Sequence, residues 1–225
     1  MSSSDPGASG TEERPDPRRT GILEAALDVI ADRGYADTRI VDVAERVGVS
    51  PALVMYYFKS KARLLAEATR FAEDLWYAEG TRRIERMDTA ARRLEELVRL
   101  TCLTHSDDGQ LSESPSLWVD LWSQSIRRPE IRSVREEFDE HWRQTVRAVV
   151  QEGCDRGEFR PVDAQETAIT LCALLDGLSI QIALRDPVVT ERRAFDNAMR
   201  VASVLLGFTW SAPVQGPRRT RRPQT

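Results

Sequence analysis

The chain has 225 residues, of which 41% are hydrophobic and 30% are charged. That length is ample for a buried core, and the composition lies far from the low-hydrophobicity, high-charge regime of disorder; a disulfide-stapled miniprotein and a wholly unfolded chain are both excluded. The net charge of -4 neither requires nor forbids a nucleic-acid partner, because a groove is met by local charge rather than by the total.

Residues 1–16 are rich in Ser, Gly, Pro and acids, and residues 211–225 are rich in Pro and carry Arg218, Arg219, Arg221 and Arg222. Both are predicted to be disordered tails, the second one basic. Between them apolar residues return at spacings of three and four and alternating β-branched runs are absent, so the expected fold class is all-α. Leu23, Ala26, Leu27 and Ile30 predict a first helix from about Arg18 to Arg33, ended by Gly34. Thr38 offers an N-cap to a second helix, in which Ile40, Val43, Ala44 and Val47 repeat the spacing before Gly48 stops it. Ser50 caps a third, Pro51 suits its first position, and Val54, Tyr57 and Phe58 form its inward stripe. Two short helices separated by Gly48-Val49-Ser50 make a helix-turn-helix.

A larger helical bundle is predicted to follow. Its helices run from Ser60 to about Ile84, from about Thr89 to Leu103, and from Ser114-Pro115 onward after a polar break. A long one carries Ile131, Val134, Phe138, Trp142, Val146, Val149 and Val150 and stops at Asp155-Arg156-Gly157. Another begins at Asp163 with Glu166, and a last one runs from Thr190 to about Trp210. Cys102, Cys154 and Cys172 are an odd number without a C-x-x-C pair, which suits core fillers in a reducing compartment. The opening residues hold no apolar leader, and the longest apolar segment, near Ala168 to Leu184, is interrupted by Asp176 and Gln181. The expectation is a cytoplasmic protein without a membrane span.

The stretch TRIVDVAERVGVSPALVMYYFKSKARLL, Thr38 to Leu65, resembles the DNA-binding domain of the TetR family of bacterial repressors. The likeness lies in the small first helix, the threonine before the second, the Gly-Val-Ser turn, the Tyr57-Phe58 end of the third and the Ser60-Lys61 start of the fourth. It implies a DNA-binding domain over residues 17–77 and a helical regulatory and dimerisation domain over 78–210. A major groove about 12 Å wide admits one helix, and a reading helix must project side chains to base edges. On the third helix the outward set is Pro51, Ala52, Leu53, Met55 and Tyr56, whose small and apolar groups suit thymine methyls. Phosphates would meet helix amides, the hydroxyls of Thr38, Ser50, Tyr56 and Tyr57, and the charge of Lys61. Arg39 joins the candidate set, and Arg14, Arg18 and Arg19 are expected to add contacts from a flexible arm. Between Arg18 and Leu65 eight bases face six acids, so the assignment leans on the motif rather than on charge. Leu53 departs from the small or hydroxylated residue usual in the family and Met55 from a tyrosine, so no operator sequence carries over.

Residues Ser114 to Leu206 resemble the C-terminal domain of the family's BetI-like branch in Trp118 to Trp122, Pro129, Trp142, Glu152 to Phe159 and Leu175-Asp176-Gly177-Leu178. The resemblance implies a homodimer through the last two helices, with Leu171, Leu174, Leu178, Ile182, Ala198, Ala202 and Leu205 at the interface. It also implies an effector held by the middle helices. Trp118, Trp122 and Trp142, with His141, Asp176 and Gln181, would line a site for a cationic amine; Trp at helical spacing equally serves as a core anchor. Two recognition helices about 34–36 Å apart fit a palindromic operator. An effector preferring another spacing would lower DNA affinity by the same coupling and act as an inducer of a repressor. His105 and His141 are too few for a zinc motif, no cofactor is expected, and the absence of a phosphate loop, a nucleophile elbow and H-E-x-x-H speaks against an enzyme. The competing readings are a helical binding or scaffolding protein without operator affinity and a helical-bundle enzyme.

Overall fold

The computed structural model describes residues 16–103 and 115–212, which form nine helices and no strand. The expected tails before residue 16 and from residue 213, the arm residue Arg14, His105 and the Ser114 cap lie outside the described residues. The chain divides into two compact units between Phe71 and Ala72. This division falls within a continuous helix, upstream of the expected boundary after residue 77.

The first unit holds α1 (Pro17–Asp37), α2 (Ile40–Val47), α3 (Pro51–Phe58) and the opening of α4 (Lys61–Glu85). Asp16 caps α1, its carboxylate accepting from the Arg18 amide at 2.9 Å. The helix breaks at Gly34 (φ 81°, ψ 162°). One expectation is corrected here: α2 is capped by Arg39, not Thr38. Thr38 is 1% exposed and donates its hydroxyl to the Gly34 carbonyl at 2.8 Å, so it closes α1 instead. At the cap of α2 the Arg39 amide donates to the Asp42 carboxylate at 3.2 Å, a carboxylate at the third helical position reaching back to the cap. Gly48 then adopts the left-handed conformation (φ 73°, ψ 35°) that lets the chain turn sharply into α3, a geometry costly for any residue with a Cβ. Ser50 caps α3 by accepting from the Leu53 amide at 3.2 Å, with Pro51 first in the helix. Ile22, Leu23, Ala26, Val29, Val43, Ala44, Val54, Phe58 and Leu64 are buried together as the core.

The second unit continues α4 and adds α5 (Ala90–Cys102), α6 (Pro115–Ser125), α7 (Pro129–Asp155), α8 (Ala164–Ala183) and α9 (Glu191–Leu206). Thr89, Asp163 and Thr190 cap α5, α8 and α9. The last helix stops at Leu206 rather than Trp210, because Gly207 turns left-handed and Arg160 takes over the end. Its backbone and side-chain N–H groups donate to the carbonyls of Leu206 and Leu205, each at 2.8 Å. Trp210 returns to rest on Phe195. By length and composition α8 is apolar enough to cross a membrane. In this unit it packs against α5, α6, α7 and α9, with Ala168, Leu171 and Leu175 in a core shared with Leu97, Val146, Val150, Phe195 and Met199. Cys102 and Cys172 are buried and Cys154 half-buried; burial pushes the first two thiols up to about 12, which keeps them unreactive.

Candidate functional site

In the first unit α3 is anchored on one side and bare on the other. Val54 and Phe58 are both 0% exposed, while Met55 is 40% and Tyr56 68% exposed, and Pro51 and Ala52 lie open beside them. Leu53 is half-buried. A helix of 8 residues fixed by two buried side chains and showing small and apolar groups outward has the form that reading a groove requires.

The candidate phosphate ligands differ in how free they are. The Ser50 hydroxyl accepts from its own helix and keeps its proton to donate. The Thr38 hydroxyl is buried and spent on Gly34, which removes it from the contact set. The half-buried Tyr57 donates its hydroxyl to the Asp16 carboxylate at 2.7 Å; this bond holds Asp16 below the usual carboxylate range and raises Tyr57. The Lys61 ammonium donates to the Ala36 carbonyl at 2.7 Å. Arg39 grips Asp42 with two side-chain donors, both at 2.9 Å, and Arg33 reaches the same carboxylate at 3.0 Å; Asp42 is held low by the Arg39 bond first. Arg18 and Arg19 belong to the first turn of α1 and not to a flexible arm, and Arg19 pairs with Glu67 and lies over the Phe58 ring. Lys59, absent from the expected set, ends α3 at φ 62° with its ammonium over the Tyr56 ring at 4.9 Å and no ion pair among the described residues. Its position after a helix end could have drawn notice in the sequence; its unusual backbone could not.

In the second unit a cavity of about 500 Å³ opens between α6, α7 and α8, lined by Trp122, Ser125, Ile126, Arg132, Arg135, Asp139, Asp176 and Ile180. Of the expected ligand residues Trp122 and Asp176 are there. Burial first, and Asp139 second, push the Asp176 carboxyl up to about 6. Burial raises Asp139 as well, although Arg135 is bonded to it. Trp118, His141 and Trp142 belong to an aromatic cluster instead. Trp118 stacks on Phe138 at 4.3 Å, His141 on Tyr77 at 3.7 Å, and Trp142 meets Trp76 edge-on at 5.4 Å. Trp142 is buried in the core of the unit. Gln181 donates to the Gly177 carbonyl of its own helix and is not in the lining. The sequence reading named neither Trp76 and Tyr77 of α4 nor the charged cavity residues of α7.

Residues 22–68 match the family described as bacterial regulatory proteins of the tetR family, and residues 90–207 match the C-terminal domain of BetI-type transcriptional repressors. The chain is 32% identical over 174 residues to the HTH-type transcriptional regulator BetI of Burkholderia thailandensis, covering 74% of this chain and 82% of that protein. It belongs to the TetR family. Solved structures agree: a transcriptional regulator from Saccharomonospora viridis in complex with choline superposes with a TM-score of 0.74 at 32% identity, over 84% of this chain and 96% of that one. A TetR-family regulator from Rhodococcus sp. gives 0.72 at 28%, over 84% and 98%. As a TetR-family protein with a BetI-type C-terminal domain, the chain is a DNA-binding transcriptional regulator.

The interface residues expected of a TetR-family dimer need correction. Leu171, Leu178, Ala198 and Ala202 are buried in the unit's own core, so their surfaces are already covered. Leu174, Ile182 and Leu205 are half-buried at its margin. The exposed large apolar residues of these helices are Ile169 on α8 and Val201 and Val204 on α9; with Leu205, the last two share one helical face. Helical periodicity marks an apolar stripe but cannot divide it between the subunit's own core and a partner.

Proposed function

We propose that this regulator is a cytoplasmic repressor that binds a palindromic operator as a homodimer and is released by a small organic cation, without a catalytic step. The observation that carries the DNA half is α3: Pro51, Ala52, Leu53, Met55 and Tyr56 project from a helix pinned by buried Val54 and Phe58. Its outward groups match thymine methyls and base edges, while the amides at the starts of α2, α3 and α4, the Ser50 and Tyr56 hydroxyls and the bases Lys59, Lys61, Arg18 and Arg39 supply phosphate contacts. Tyr57 would join them by exchanging Asp16 for a phosphate. Dimerisation runs through α8 and α9, whose exposed Ile169, Val201 and Val204 a second copy would cover.

The effector half rests on the cavity of the second unit, where the Trp122 ring and the Asp176 carboxylate offer a quaternary ammonium an aromatic face and a counter-charge. The choline complex of the Saccharomonospora relative supports this ligand class. Ligand binding and operator binding then oppose each other by one reciprocal coupling energy.

The test is recovery of genomic DNA on the purified protein, followed by titration of the recovered site over a range of salt, with and without choline. The proposal expects an inverted repeat, an affinity that falls steeply with salt, and weakening by choline. Sequence-blind binding would refute the operator assignment, and indifference to choline and to related amines would refute the effector assignment.

A further inference from the structure

The charges lining the cavity of the second unit are not all of one sign, and their pairing decides what the cavity can hold. Four ionic side chains face it: Asp139, Arg132 and Arg135 from α7 and Asp176 from α8. Arg135 is bonded to Asp139, so this pair neutralises itself. Two charges remain. Asp176 has no hydrogen bond or ion pair with the described residues, and Arg132 pairs with no described carboxylate. The Arg132 guanidinium spends Nε and one Nη2 proton on the Ser125 and Ile126 carbonyls at the end of α6, both at 3.3 Å. A guanidinium has five N–H donors, so three are left, and the two bonds fix the plane in which they point. The cavity thus offers the exposed Arg132 cation at its open rim, the Asp176 carboxylate without an ion-pair partner among the described residues, and the half-buried Trp122 face.

We infer that the effector is a zwitterion, a small molecule with an ammonium head for Asp176 and Trp122 and a carboxylate for Arg132. This deepens, and rests on, the reading of this cavity as the effector site. A simple cation satisfies Asp176 and leaves Arg132 without an anion. A simple anion meets Arg132 and adds to the repulsion between Asp139 and Asp176. Only a ligand with both charges completes both residues, and the carboxylate bond to Arg132 is of the charge-assisted, two-pronged kind that discriminates strongly.

The test is calorimetric titration of the full-length protein with quaternary-ammonium carboxylates carrying one, two or three methylenes between the charges, with choline as the alcohol counterpart and with acetate. At least one zwitterion is expected to bind about tenfold or more tightly than choline, the factor typical of one added charge-assisted hydrogen bond; acetate gives no heat. Arg132→Gln is expected to bring the zwitterion-to-choline ratio within about twofold, whereas Arg132→Lys, which keeps the charge but loses the two-pronged fork, is expected to give a ratio between those of Arg132→Gln and the wild type. Choline binding as tightly as every zwitterion, or a ratio unchanged in Arg132→Gln, overturns this inference and leaves the cavity as a cation site. Failure of every ammonium probe to bind overturns the effector-site reading itself.

Discussion

Lys59 ties the backbone of the recognition helix to its charge, and two substitutions there separate the two. The residue stands at φ 62°, ψ -30°, where a side chain with a Cβ is strained by about 1–2 kcal/mol. Lys59→Gly removes that strain and returns about 0.5–1 kcal/mol through the greater freedom of the unfolded chain. Lys59→Ala keeps the strain. Both lose the ammonium and its place over the Tyr56 ring, so the glycine variant is expected to be more stable than the alanine variant by about 0.5–1 kcal/mol. In a unit of this size that is a difference of about 2–8 °C in the melting of the first unit, read by calorimetry. On duplex DNA both variants lose one cation that no described acid neutralises. The slope of log affinity against log salt should therefore flatten by about 0.9 in each, measured by fluorescence anisotropy. An alanine variant as stable as the glycine variant would refute the backbone argument. An unchanged slope in both would remove Lys59 from the DNA contacts.

Gly153 faces Phe159 so closely that an added Cβ would lie 2.1 Å from ring atom Cδ2, so Gly153→Ala must push a buried ring aside. The expected loss is about 1–3 kcal/mol in the second unit despite the better helix propensity of alanine, and an unchanged or raised Tm would contradict it. Val204→Asp is expected to yield a folded monomer by light scattering, because Val204 is 69% exposed in the single chain; Leu178→Asp should instead unfold the second unit. An unchanged dimer in the first, or a folded monomer in the second, would reverse these assignments. The Asp176 carboxyl, pushed up to about 6 by burial and then by Asp139, with Arg143 and Arg135 acting the other way, is a counter-ion only when ionised. Affinity for a quaternary ammonium should be flat above pH 7 and fall by up to about tenfold per pH unit below 6. Asp176→Asn should bind weakly at every pH; a fall that persists in that variant would assign it to another group.

The helix order and most helix starts were legible in the sequence because caps and stops are local. Ser50-Pro51, Gly48, Thr89, Asp163 and Thr190 each act within one turn of their own position. Thr38 misled because a hydroxyl near a helix start can serve either neighbour; the winner was Gly34, whose break leaves a carbonyl within reach. Trp210 looked like a helix continuation because its spacing is helical, but the helix end belongs to Arg160, a residue far away in sequence. The outward face of α3 could be read from the sequence, since a short helix with two buried residues has only one other side. What each polar side chain touches could not be: the Tyr57 bond to Asp16, the Lys61 bond to Ala36 and the charged cavity lining all join residues from different parts of the chain.

The most direct test is selection of random duplexes by the wild-type protein and by Leu53→Ala and Met55→Ala variants, followed by sequencing. If α3 reads the major groove, the wild type enriches an inverted repeat, and each variant keeps the repeat spacing while changing the preferred base at one position in each half-site. No enriched repeat, or variants that select the same bases as the wild type, would contradict the account.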